Sequence, residues 1–447
     1  MSLALLLCLL SFVLCLWAGR QALVNGLIAV IGVGYVYGIL RANIPETYSH
    51  FIFDAAVAGL YVSQISHRLT ITEKYRVEKL KPWLELLIAW PILIFFLPLQ
   101  DWLVQFVGLR GSIFLLPFIF LGARMSSEDR YRLALWLAGF NVAVCVLGGV
   151  EYFWGIQSFF PRNDVTELMY RSTVFKDQLD LRIPASFANA HAYGGTMVVT
   201  LPLLAGAVMQ KRGKVIYLVL LTTGILAALL GVFMSAARTH FIAAAILVLV
   251  TTVSLRFRPG HVLAGLILIA AVAWIVSGEN RLQRFLELRD TDAVVERVSI
   301  SVNMGFFEAA ARYPFGNGLG GGGTSIPYFL QDRIKNPTVM ENEYARIMLE
   351  EGIVGLAFWA AFVVWVITRP RAGANHSWSL GRRLARVSCI VFFLSGLTGI
   401  GLLTSIPFTA LFLLLVGWTA SPEILSGKLS VVRQFDFEKP ALVQPIQ

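Results

Sequence analysis

Apolar stretches of roughly bilayer length recur from one end of this sequence to the other, and that repetition constrains the fold more than any single motif. A helix rises about 1.5 Å per residue, so about 18–20 apolar residues cross a hydrocarbon core. No water satisfies the backbone there, so each crossing must be a helix or a strand of a closed barrel. Barrel strands alternate polar and apolar residues over about ten positions, and the sequence shows no such alternation. The expected class is an all-α polytopic membrane protein. Spans near 2–18, 21–40, 49–66, 83–99, 110–124, 131–150, 191–210, 215–235, 239–256, 261–277, 350–367, 385–401 and 405–421 give a bundle of about 12–13 transmembrane helices.

Of 447 residues, 57% are hydrophobic and 14% charged, against about 25% charged in soluble domains. The net charge of +10 does not imply nucleic acid as a partner, because the cations sit in short connectors. They are Arg68, Lys74, Arg76, Lys79 and Lys81; Arg124, Arg130 and Arg132; Lys211, Arg212 and Lys214; Arg256 and Arg258; and Arg369, Arg371, Arg382, Arg383 and Arg386. That is the positive-inside pattern, which places these connectors on the cytoplasmic side. The chain then divides into N-terminal helices (1–130), central helices (131–277) with an external loop at 151–190, a large external loop (278–349), C-terminal helices (350–421) and an inward tail (422–447). Met1 to Gly19 lacks a basic leader and a small-residue cleavage site, so it reads as a retained first span.

The four cysteines (Cys8, Cys15, Cys145, Cys389) lie within apolar spans and the six histidines show no metal-ligand spacing, so no metal centre and no cofactor are expected. Asp54 in the third span reads either as an ion ligand or as a packing hydrogen bond. Arg238, in Ser235-Ala236-Ala237-Arg238-Thr239-His240, stands at the external boundary, opposite the basic connectors. A boundary arginine needs an anionic partner or a lipid phosphate. Arg297 falls in a segment with apolar positions 295, 298, 302, 306 and 309, the spacing of a helix on the bilayer surface or over a cleft. That segment stops at Arg312-Tyr313-Pro314.

The run Gly316 to Gly323 lacks the Lys-Ser/Thr ending of a nucleotide loop, so it reads as a flexible linker. Glu341 and Glu343 precede a span beside Asn342 and Tyr344. Glu343 reads as a complement to the helix dipole, whereas Glu341 facing a cleft would be a positioned base. Small and polar residues from Arg182 through Asn189 and His191 to Gly194 crowd another helix start; a cleft wall and an ordinary capped turn are both compatible with them.

At these residues the chain resembles the superfamily of O-antigen ligases and polysaccharide polymerases, which are bacterial membrane glycosyltransferases. Its R-x-P-x-x-F-x-N-x-N/H pattern is similar to Arg182 through His191, and its S-x-x-R pattern to Ser235 and Arg238. Its H-N-x-Y motif with the following E-x-G-x-x-G-L resembles Asn342, Tyr344, Glu350, Gly352, Gly355 and Leu356, and its external helix ending in P-x-x-G-x-G resembles the Arg297 segment through Gly318. The likeness spans roughly residues 130–420. Where many ligases of the superfamily carry a catalytic histidine, this chain has Glu341, a weaker base at neutral pH.

The resemblance implies a donor glycan on a polyprenyl diphosphate, an acceptor glycan, a lipid environment and other polysaccharide export proteins as partners. It also implies the bacterial inner membrane, with the site facing the periplasm or exterior. Arg238 and Arg297 would stabilise the diphosphate leaving group, taking the place of a metal ion. Glu341 would orient or deprotonate the acceptor hydroxyl. Arg182, Asn189, His191, Asn342, Tyr344 and Arg312 would bind substrate. A polymerase joining lipid-linked repeats is the expected activity, ahead of a ligase that moves finished glycan to lipid A core or protein. A transporter would instead show interrupted helices, paired intramembrane charges or a repeat.

Overall fold

The computed structural model describes residues 2–171, 182–210, 214–255, 306–323, 326–338, 342–369 and 377–422, with positions 292, 295, 296, 299 and 340 between them. Among the described residues every regular element is helical. Eight segments are long and apolar enough to cross a membrane. They are α1 (Leu3–Gln21), α2 (Leu23–Asn43), the pair α6 (Trp102–Ile113) and α7 (Phe118–Arg124), α8 (Ser127–Trp154), α10 (Ala190–Val208), α11 (Val215–Met234), α12 (Arg238–Leu255) and α14 (Glu343–Thr368). The chain is a polytopic all-α membrane protein.

Shorter helices complete the bundle: α3 (Ile52–Ile65), α4 (Ile71–Val77), α5 (Lys81–Phe95), α9 (Glu167–Arg171), α13 (Phe306–Arg312), α15 (Ser379–Ser395) and α16 (Phe408–Ala420). The expected span at 49–66 is α3 preceded by a 3-10 turn, Thr47–Phe51. The expected span at 110–124 is the second half of a longer crossing that is broken between α6 and α7. Helix α14 starts at Glu343, seven residues before the expected 350. The expected span at 261–277 and the tail beyond 422 lie outside the described residues.

Helix starts follow local capping chemistry. The Ser126 hydroxyl accepts from the Asp129 N–H at 3.1 Å while the Asp129 carboxylate accepts from the Ser126 N–H at 2.9 Å, opening α8. Thr70 and Glu73 form the same reciprocal pair at α4. Each pair satisfies donors that the first helical turn leaves open. Between helices, small residues let backbones approach. A Cβ on Gly224 of α11 would lie 2.6 Å from the Ala138 Cα of α8, and one on Gly417 of α16 only 1.8 Å from the Ile119 carbonyl of α7. Where lipid tails are as apolar as leucine, this close dispersion contact is the main attraction between helices. Leu10, Trp17, Phe153, Val215 and Leu249 stay exposed on the outer surface, as a lipid-facing side requires.

The two ends of the bundle differ in chemistry. At one end Arg76 donates to the Arg124 and Met125 carbonyls, Arg369 to Ala420, Arg382 to Thr419 and Arg386 to Ile367. These are the last carbonyls of α7, α16 and α14, where the helix dipole is negative and cations are stabilised. Arg130 is held there between the Trp378 and Trp418 rings, 5.4 and 5.1 Å from their centres, a cation–π arrangement. The other end gathers the 155–171 and 182–189 segments, the turn between α11 and α12, the glycine-rich loop and the 396–407 turn. Asn163 and Asn43 tie the first of these to the end of α2 through the Ala42 and Phe159 carbonyls.

Candidate functional site

The first turns of α14 carry the most concentrated buried charge among the described residues. Asn342 caps the helix, its side-chain oxygen accepting from the Ala345 N–H at 2.5 Å. Arg346, 1% exposed, donates Nε and Nη2 to one Glu343 oxygen at 3.0 and 2.7 Å, and Nη1 to Glu350 at 2.7 Å. These are i, i+3 and i+4 neighbours on one helical face. The second Glu343 oxygen accepts from the Gly401 and Leu402 N–H groups at 2.8 and 3.2 Å. Glu350 accepts from the Gly322 N–H at 3.2 Å. Glu351 lies beside this group, 3% exposed, and its backbone carbonyl accepts from the Trp90 indole at 3.0 Å. Glu343 therefore does more than complement a helix dipole: it is an ion-pair partner and the anchor of the 396–405 turn.

The glycine-rich loop is not a linker. Asn317 and Gly318 through Gly322 are buried, and the loop is stitched to α14 on both sides of a break in that helix. Gly352 breaks it with φ +73 and ψ −174, a conformation nearly exclusive to glycine. Across the break the Ile353 N–H donates to Pro314 at 2.9 Å and the Asn317 N–H to Leu349 at 2.6 Å. Gln100, just before α6, clamps the far side by donating to the Asn317 and Lys335 carbonyls at 2.9 Å each and accepting from the Lys335 N–H. The Gly322 N–H of this loop is bound to the protein's own Glu350 carboxylate.

A second group lies where α10, α11 and α12 meet. Asn189 caps α10 by accepting from the Ala192 N–H at 2.8 Å. Arg182 donates Nε to the Ser235 carbonyl at 3.3 Å, joining the 182–189 segment to the α11–α12 corner. Ala185 and Ala236 flank this contact with φ +50 and +48, strained for residues with a Cβ. The Glu151 carboxylate holds the first of them, accepting from the Ala185 N–H at 2.9 Å. Arg238 starts α12 half-buried at the same corner. The imidazoles of His191 and His240 face each other with centroids 4.3 Å apart. A Cβ on Gly194 would meet the Ser235 hydroxyl at 2.5 Å, so only glycine lets α10 approach this corner so closely.

The 396–405 turn connects the two groups. Its Gly401 N–H is held by Glu343, and a Cβ at Gly401 would lie 4.0 Å from the His191 ring. The Tyr344 hydroxyl donates to the Phe393 carbonyl at 2.8 Å, and its ring borders Gly396. Arg182, Asn189, His191, Arg238, Asn342 and Tyr344 are thus brought to one end of the bundle, on three stretches of chain distant in sequence. Arg312 is exposed at the end of α13, which packs on the first turns of α14. Arg297 and Glu341 lie outside the described residues.

Asp54 accepts bidentately from Arg110, with Nε and Nη2 at 2.8 and 2.7 Å. Of its two readings, the structure supports the packing one. Sequence reasoning missed Arg346, Glu351 and His240. The E-x-x-R-x-x-x-E spacing of Glu343, Arg346 and Glu350 was a usable signal, since three charges on one face of an apolar helix must neutralise one another. Nothing local marked His240. Among the described residues no group of three or more histidine, cysteine or carboxylate side chains is placed to hold a metal ion. Compared with known protein families, the chain matches no family model, and no curated protein matches it.

Proposed function

We propose that the protein is a membrane glycosyltransferase that polymerises polyprenyl-diphosphate-linked oligosaccharide repeats. One observation carries this reading: the three segments whose residues resemble the superfamily's motifs meet at one end of the bundle, through Arg182 on Ser235 and Glu343 on Gly401. Arginines at that corner suit a diphosphate, because guanidinium matches phosphate oxygens two at a time. As the anomeric C–O bond breaks, its electron pair goes to the diphosphate, and Arg238 stabilises that growing charge together with Arg297. Glu341 orients the acceptor hydroxyl. The basic connectors at the opposite end orient the site away from the cytoplasm, under the positive-inside rule.

The test is Arg238→Ala in cells that make the polysaccharide. The expected result is loss of polymer, with single lipid-linked repeats accumulating at unchanged protein level. Normal polymer would remove Arg238 from the site, and long chains retained on the carrier would identify a ligase instead.

A second reading, solute transport, draws on the buried charges of α14 and on the break at Gly352, features expected of transporters. It is the weaker reading, because Glu343, Arg346 and Glu350 are committed to one another and to loop backbone.

A further inference from the structure

His240 is among the buried polar groups left without a hydrogen-bond partner, and His191 packs against it. His240 is 3% exposed and its Nδ1 is fully buried with no hydrogen-bond partner. Neither imidazole hydrogen-bonds to any described residue, although their rings are 4.3 Å apart. Buried polar atoms in folded proteins are satisfied in the great majority of cases, and an orphan marks a place where water, ligand or substrate completes the bonding. The surroundings do not supply the missing bonds. α15 and α16 present Phe392 and Phe408 to His240, with centroids 6.2 Å away in each case. α10 offers Gly194 and Gly195 against the His240 nitrogens, and the 396–405 turn offers Gly401 against His191. The charged groups around the pair are Arg182 from the segment before α10, Arg238 at the start of α12 and Glu343 behind Gly401.

We infer that His191 and His240 form a paired-imidazole site that binds the attacking hydroxyl of the acceptor sugar and takes its proton. This rests on the glycosyl-transfer reading and deepens it by assigning the base to the pair in place of Glu341. His191, the half-buried member, meets the hydroxyl, and His240 is enclosed behind it. In the step, the hydroxyl oxygen forms the new bond to the anomeric carbon. The C–O bond to the diphosphate breaks with its electrons leaving on phosphate, and the hydroxyl proton passes to an imidazole nitrogen. A neutral imidazole suits this exchange because one of its ring nitrogens carries a lone pair that can accept the proton.

The experiment uses the full-length protein in lipid nanodiscs with a polyprenyl-diphosphate-linked oligosaccharide, following chain extension. His191→Ala is expected to lower turnover by roughly 10²–10⁴-fold, with little change in KM for the lipid-linked donor. Added imidazole should restore activity in proportion to its concentration, which a packing role would not allow. The wild type should lose rate on the acidic side as the pair becomes protonated, and His191→Gln and His240→Gln should each remove that limb. Glu341→Gln should retain it. Failure of imidazole rescue in a folded variant, or an unchanged acidic limb in both glutamine variants, overturns the proposal. The wild-type arm separates the two possible failures. If the wild type transfers no glycan, the glycosyl-transfer reading is lost and the pair's role with it. If it transfers and both histidine variants do too, only the pair is rejected.

Discussion

Arg346→Met tests whether the start of α14 is held by charge compensation. The guanidinium makes three hydrogen bonds to two carboxylates that are themselves 0% exposed. Methionine fills similar volume but strands both carboxylates. Breaking a buried pair by removing one partner costs about 3–5 kcal/mol, or roughly 10²–10⁴-fold in the folded-to-unfolded ratio. The triple variant Glu343→Gln/Arg346→Met/Glu350→Gln removes the charges but keeps amide oxygens to accept from Gly401, Leu402 and Gly322, so it should recover most of that loss. SDS-titrated unfolding in bicelles measures the global effect, and amide exchange at Gly322, Gly401 and Leu402 reads the local one. The single variant should speed exchange at all three sites. A single-variant loss below about 1 kcal/mol, well under the expected range, would refute the argument. So would a triple variant as unstable as the single one.

Two further outcomes follow from the geometry. Gly352→Ala forces a Cβ to within 2.6 Å of the Phe315 carbonyl carbon at φ +73, a strain of about 1–3 kcal/mol before any clash; a lowered melting temperature with faster proteolysis at Arg333 and Lys335 is expected, and a wild-type profile would exclude it. At Glu73 burial works to raise the carboxyl pKa, but the Thr70 backbone and hydroxyl and the Arg124 guanidinium outweigh it and hold the group below the usual range. Its stabilising contribution is therefore complete above the unfolded value, about 4.3, and is lost as pH falls through the folded one. Unfolding midpoints measured from pH 6 to 3 should flatten in Glu73→Gln, and identical slopes would count against the linkage.

Hydropathy carried most of the fold, because a span announces itself by length and apolarity alone. It failed at α14 for a physical reason. Glu343, Arg346, Glu350 and Glu351 count against a span in any sliding average, yet Arg346 neutralises two of them on the helix's own face. The glycine-rich loop misled in the opposite direction. Its composition is that of a flexible segment, but Gly316, Gly318, Gly320 and Gly323 all have positive φ, so the glycines serve a tight path against α6 and α14. The site was partly legible. Arg182, Ser235 and Arg238 stood out as polar residues at span boundaries, whereas the pairing of His191 with His240 depends on a tertiary approach between α10 and α12. Glu343 could not be read in full from its own neighbourhood, since its partners Gly401 and Leu402 are 58 and 59 residues away.

The break at Gly352 has a mechanical consequence. A helix interrupted in mid-course normally surrenders amides and carbonyls to solvent, which hydrocarbon does not provide. Here Pro314 and Asn317 answer Ile353 and Leu349 across the interruption, so the surface loop is spliced into the ladder of the helix beneath it. Loop and rod thereby share one mechanical fate: a tilt of α14 in the bilayer carries the glycine run along with it.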